Sequence, residues 1–143
     1  MIRQLVLMFS AVFAAAGTWT TALAQYLPVP PTFNVREAEQ AAGRKLFSDH
    51  CAICHAHVPG VRAYAPSLRG VVGRPAAAIS DFPYSDALKK SGLTWTEDNL
   101  RNWIADPAHM VPSTLMPHPA ISDPAEQIYV VAYLKTLKAP AGR

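Results

Sequence analysis

The sequence predicts an all-α fold in which loops carry much of the chain, and three observations lead there. No stretch alternates apolar and polar residues with period two over a useful length. Several segments instead combine helical spacing with recognisable caps. Between them lie long runs rich in proline, glycine and small residues, with no internal repeat. At 143 residues, half of them apolar, the chain supports one small domain.

Taken in order, the first segment is a processing signal. Arg3 is the only charge before Arg36, "LVLMFSAVFAAAG" supplies an apolar core, and Ala22-Leu23-Ala24 supplies small residues for a signal peptidase. Residues 1–24 are therefore expected to be a signal peptide, cleaved before Gln25, and the mature protein to be exported. The alternative is an uncleaved anchor, although the apolar run falls short of the roughly 18 residues a span requires. Residues 25–33, "QYLPVPPTF", read as an extended Pro-rich leader.

The first helix is expected from an Asn34 cap through "VREAEQAAGRKLFSDH", with Val35, Ala38, Ala42 and Leu46 at helical spacing. Gly43 in mid-helix costs about 1 kcal/mol relative to alanine and marks either close approach by another helix or an incidental glycine. From Ala56 to Pro83 no periodicity survives. So long an irregular segment needs something to wrap. Ser85 can cap a short helix, "DALKKS", that Gly92 stops. Thr94 and Glu97 have capping-box spacing ahead of "EDNLRNWIAD", whose apolar stripe is Leu100, Trp103 and Ile104 and which Pro107 ends. Residues 107–124 read as loop. Asp123-Pro124-Ala125-Glu126 then opens a last helix to about Lys138, with Ile128, Val131 and Leu134 among its apolar positions.

Charge excludes one class of partner. Removing the signal takes one of 13 basic residues and none of the 10 acidic ones, so the mature chain is only weakly basic. No Lys/Arg cluster points to nucleic acid.

The chemistry concentrates in "HCAICHAHVP", which holds both cysteines of the chain, Cys51 and Cys54, and three of its five histidines. A structural zinc site wants four Cys/His ligands, and the second cysteine pair is missing. A thioredoxin-like dithiol would need a βαβ context. A Cys51–Cys54 disulfide would close a very small ring and leave His55 unexplained. Covalent haem attachment accounts for all three residues: the thiols add to the haem vinyl groups and the next residue's imidazole reaches the iron. His50 and His57 are expected to be surface histidines. An electron carrier needs a sixth ligand on the opposite face, and a thioether there raises the reduction potential. Met110, Met116, His109 and His118 all lie in the Pro-rich loop after the Trp103 helix. Met116, in "VPSTLMP" and bounded by Pro117, is the expected ligand, and Met110 a core gap-filler.

With these residues in place, the chain resembles the class I cytochromes c, in the mitochondrial and bacterial c2-like branch, over roughly 42–138. The resemblance is carried by "GRKLF", "CAICH", "APSLRGVVGR", "FPYSDALKKSGLTWTEDNLRNWIADP", "VPSTLM" and "YVVAYLK". It implies one covalent haem c in a domain spanning 34–143, with first and last helices packed together and loops wrapped around the haem. Cys51 and Cys54 would be the thioether sites, His55 and Met116 the iron ligands. Pro66 matches the residue whose carbonyl orients the proximal imidazole, and Leu68 joins it among the haem-binding positions. Arg74, Tyr84 and Trp95 match positions around the haem propionates, Thr114 a hydroxyl near the distal side, and Trp103 an aromatic of the methionine-side pocket. Gly43, Phe47, Val130 and Tyr133 match the contact between first and last helices.

Departures limit the transfer. Leu88 stands where an asparagine is common, and Ala108, His109 and Leu115 stand where mitochondrial relatives often carry lysines. His118 replaces an aromatic, and residues 26–33 have no counterpart. The resemblance implies a monomeric periplasmic electron carrier, not an enzyme, without a stable membrane anchor. Its redox partners would be a membrane oxidase, a cytochrome complex or a periplasmic dehydrogenase. With few lysines near the haem edge, weak salt dependence of docking is expected. The alternative is a haem sensor or peroxidase-like protein with a labile sixth ligand.

Overall fold

The computed structural model describes residues 34–55, 64–117, 119 and 121–139, which belong to one compact unit beginning at Asn34. The expected signal peptide (1–24) and leader (25–33), together with His57 and His118, lie outside the described residues.

Helix α1 spans Val35–His50, and α5, the last, spans Pro124–Leu134. Asn34 is extended, and its Oδ1 accepts from the N–H groups of Arg36 and Glu37 at 3.1 and 3.4 Å, satisfying two of the donors a helix start leaves unpaired. The buried face of α1 is not the series Val35, Ala38, Ala42, Leu46. Val35 is 59 % exposed, whereas Gly43 and Phe47 are buried. Packing against α5 decides this, because α5 crosses at Gly43: a Cβ there would lie 1.8 Å from the Tyr129 carbonyl oxygen. With the backbones that close, Phe47 and Tyr133 meet at 5.2 Å between ring centroids, and Val130 is buried beside them.

Asp123 caps α5 by accepting from Ala125 N–H at 2.8 Å. The helix ends at Leu134, before the expected Lys138. Tight turns replace its last stretch: Thr136 N–H donates to Tyr133 O and Leu137 N–H to Leu134 O, which keeps Leu137 buried. The Leu137 carbonyl then accepts from Gly70 N–H at 2.6 Å. Gly70 has φ +62°, and a Cβ on it would come within 2.7 Å of the Ala139 Cβ, so both its conformation and its surroundings demand glycine.

Helix α2, Asp86–Lys90, is capped by the Ser85 hydroxyl, which accepts from Leu88 N–H at 3.2 Å. For α3, Glu97–Ala105, the cap is Thr96 rather than Thr94. Thr96 Oγ1 accepts from Asn99 N–H at 3.1 Å, while Thr94 is committed to an isolated bridge with Pro75 and its carbonyl accepts from Asn99 Nδ2 at 2.7 Å. Leu100, Trp103 and Ile104 are buried on α3, as their spacing implies. Pro107 does end α3, but the following residues are not all loop. Asp106 breaks the helix axis (φ −156°, ψ 93°) and then caps a one-turn α4, Pro107–Met110, by accepting from His109 N–H. Proline suits that first helical position because its missing N–H is not needed there.

Candidate functional site

A cavity of about 600 Å³ opens between the segment after α1, the loop 64–74, helix α3 and the loop after α4. Cys51, Cys54, His55, Pro66, Leu68, Arg74, Tyr84, Trp95, Trp103, Thr114 and Met116 all line it, so every expected site residue converges there from five stretches of chain. Met110 does not line it and packs against the core. His50 is exposed at the cavity's edge, and His109 is exposed away from it.

On one wall, the chain leaving α1 continues as a helical turn in which His55 N–H donates to Cys51 O at 2.8 Å. Both thiols are free of a disulfide. Burial, reinforced by Cys54, pushes the Cys51 thiol up to about 11, so it is protonated at neutral pH. The His55 ring is buried, at 8 % exposure, with Nδ1 2.8 Å from the Pro66 carbonyl. Burial holds its pKa below the ordinary histidine value, against the opposing pull of that carbonyl. A neutral ring must place its proton on the nitrogen facing a carbonyl acceptor. Nε2 therefore keeps its lone pair for a metal.

On the methionine side, the indole N–H of Trp103 donates to Met116 Sδ at 2.8 Å. Thr114 Oγ1 accepts from Met116 N–H at 3.4 Å. The approach to Met116 is a turn: Thr114 N–H donates to Val111 O at 3.1 Å, Pro112 occupies the second position, and Ser113 the third with φ +69°. That is the pattern of a type II turn, with serine where glycine is the usual residue. The Trp103 bond and the Ser113 conformation are functional details that composition and spacing do not reveal. Proline ahead of Ser113 is the one sequence signal for the turn.

A third group of side chains supplies donors. Two successive turns, Leu68–Val71 and Val71–Arg74, carry Arg74 into the cavity wall. Its guanidinium donates to the carbonyls of Arg69 and Ser67 at 3.0 and 2.9 Å, and among the described residues no carboxylate pairs with it. Burial lowers the Arg74 pKa and raises that of Tyr84, with the two side chains in electrostatic contact. Trp95 is 8 % exposed and stacks edge-on against Trp103 at 5.0 Å, and its indole N–H has no acceptor among the described residues. A cation without a carboxylate and a buried donor without an acceptor, beside an apolar cavity, suit a flat apolar group that carries its own carboxylates. Haem is such a group, and the free thiols and the available imidazole suit its attachment.

Comparison with known proteins agrees with this chemistry. The family model described as cytochrome c matches residues 40–138. The chain is 42 % identical over 96 residues to cytochrome c2 of Rhodopila globiformis, covering 67 % of this chain and 91 % of that protein. It is 41 % identical over 103 residues to cytochrome c2 of Rhodoblastus acidophilus, covering 71 % and 95 %. Among solved structures, cytochrome cH from Methylobacterium extorquens aligns with a TM-score of 0.62 at 46 % identity, covering 68 % of this chain and 97 % of that one.

Proposed function

Because the chain belongs to the cytochrome c family and so carries one covalent haem c as an electron carrier rather than an enzyme, we propose that it is an exported, periplasmic shuttle between redox proteins, with His55 and Met116 as the two iron ligands. The haem supplies a one-electron Fe(III)/Fe(II) couple. Everything else falls to the chain. Cys51 and Cys54 fix the group at one edge. The Pro66 carbonyl holds the His55 ring in one tautomer and strengthens Nε2 as a donor. Trp103 occupies one lone pair of Met116 Sδ, which orients the sulfur and leaves its other lone pair available. Arg74, Tyr84 and Trp95 offer donors and a positive charge to the haem carboxylates. Two fixed ligands in a largely apolar enclosure keep movement small when the charge changes.

The observation that carries this reading is that His55, its Nδ1 already engaged, and Met116, its sulfur already oriented, line the same cavity. Among the described residues no helix is long and apolar enough to cross a membrane. The proposed partners are a membrane oxidase or cytochrome complex, or a periplasmic dehydrogenase.

Met116→Ala tests the ligand. The ferric variant is expected to lose the weak sulfur-to-iron band at long wavelength, and its midpoint potential to fall, because a thioether ligand favours the reduced state. An unchanged spectrum removes Met116 from the iron. Rapid carbon monoxide binding by the unaltered ferrous protein would instead favour a labile sixth site. Mass measurement of the exported protein tests cleavage before Gln25.

A further inference from the structure

Trp103 donates its indole N–H to Met116 Sδ at 2.8 Å, and such a bond is only as steady as the ring that makes it. The indole turns about its side-chain torsions, and a modest rotation carries the N–H off the sulfur. Helix α3 fixes where the side chain starts and not where the ring points. Among the described residues the ring that stands against it is Trp95, with centroids 5.0 Å apart and planes inclined at 67°. That is the edge-to-face arrangement that aromatic pairs prefer.

Trp95 is itself held at its backbone. Its N–H donates to Arg74 O, and its carbonyl accepts from Gly73 N–H, each at 2.9 Å. Next to them Ala76 N–H donates to Leu93 O at 2.8 Å, and Pro75 and Thr94 form the bridge between. Toward α3 the following residue, Thr96, is the helix cap, and Asn99 Nδ2 ties the first turn back to Thr94 O at 2.7 Å. The Trp95 backbone is therefore fastened both to the stretch that carries Arg74 and to the helix that carries Trp103. Both rings are buried, so neither swings out to water.

We infer that Trp95 is a positioning residue for the distal ligand: its ring sets the tilt of the Trp103 indole, and through that indole it keeps the Met116 sulfur at the iron. The inference rests on the reading of Met116 as an iron ligand and adds a residue that acts on it through another side chain. Trp95 then has two tasks. Its N–H serves the carboxylate end of the cavity, and its ring serves the sulfur.

The test titrates free imidazole into ferric holoprotein, unaltered and as Trp95→Phe, Trp95→Leu, Trp103→Phe and the double variant Trp95→Leu/Trp103→Phe. Imidazole enters only where Met116 leaves, so its affinity reads how firmly the sulfur is held, and loss of the long-wavelength sulfur-to-iron band follows the exchange. Trp95→Phe, which keeps a smaller ring, is expected to raise the affinity about threefold, and Trp95→Leu, which removes the ring, about tenfold. Trp103→Phe should do as much as Trp95→Leu, and the double variant no more than Trp103→Phe, because both substitutions break one line of contact. Additive effects in the double variant, or an unchanged affinity in Trp95→Leu, would overturn the inference. Equal effects of phenylalanine and leucine at position 95 would also overturn it, by assigning the role to the lost indole N–H. Should Trp95→Leu not take up haem, Trp95→Phe decides: the Trp103 indole proton resonance of the reduced holoprotein should move and the imidazole affinity rise, and constancy of either overturns the inference. Absence of the sulfur-to-iron band in the unaltered ferric protein would instead overturn Met116 as the ligand.

Discussion

Ser113 holds a backbone conformation, φ +69°, that a side chain with a Cβ adopts at a cost of about 1–2 kcal/mol, three residues before the proposed iron ligand. Pro112 imposes it by fixing the turn that brings Thr114 back to Val111. Ser113→Gly relieves the strain, though glycine also loosens the unfolded chain, so the expected net gain is below about 1 kcal/mol. The checkable outcome is a higher denaturant midpoint for loss of the long-wavelength sulfur-to-iron band. A lower midpoint would show that the turn does not strain the Met116 loop. The same residue shows what was legible at this scale. Cys51, Cys54 and His55 declare themselves because covalent geometry fixes their spacing within one turn of chain. Trp103 as a donor to Met116 does not, since that bond joins two elements and depends on where α3 settles.

At the scale of elements, all the expected helices form, and the differences lie in their caps and ends, in the face that α1 buries and in the one-turn α4 within the expected loop. Thr94 and Thr96 both sit at plausible distances from α3, and local pattern favours Thr94 with Glu97. The bridge between Pro75 and Thr94 decides for Thr96, a pairing between positions 19 apart in the chain that no local rule contains. The α1 face was displaced for a similar reason: apolar spacing ranks side chains, whereas the α5 crossing selects the one position with none. Gly43→Ala measures that crossing. Alanine is the better helix former by about 1 kcal/mol, but its Cβ would stand 1.8 Å from a backbone oxygen, so the helices must part. We expect a net destabilisation of about 3 kcal/mol or more in guanidinium unfolding of the holoprotein. A variant as stable as its parent would mean that the close approach is not a constraint.

For the whole molecule, the governing fact is that the core is built around a space. A cavity of about 600 Å³ left empty would cost on the order of 10 kcal/mol, comparable with the entire stability of a small domain. The chain with both attachment cysteines replaced by alanine is therefore expected to lack a cooperative thermal transition and a fixed near-ultraviolet aromatic signal. A sharp melt with native-like tryptophan signals would refute this. The sequence announced such a space only indirectly, through a long irregular segment with nothing of its own to pack on; the enclosing walls come from residues too far apart for any periodicity to link them. Distance along the chain matters in another way. The contact of Gly43 with Tyr129 joins the first helix of the domain to the last. During synthesis α1 lacks this partner until α5 has emerged. Until then Cys51 and Cys54, which directly follow α1, lie in chain that this packing does not yet enclose.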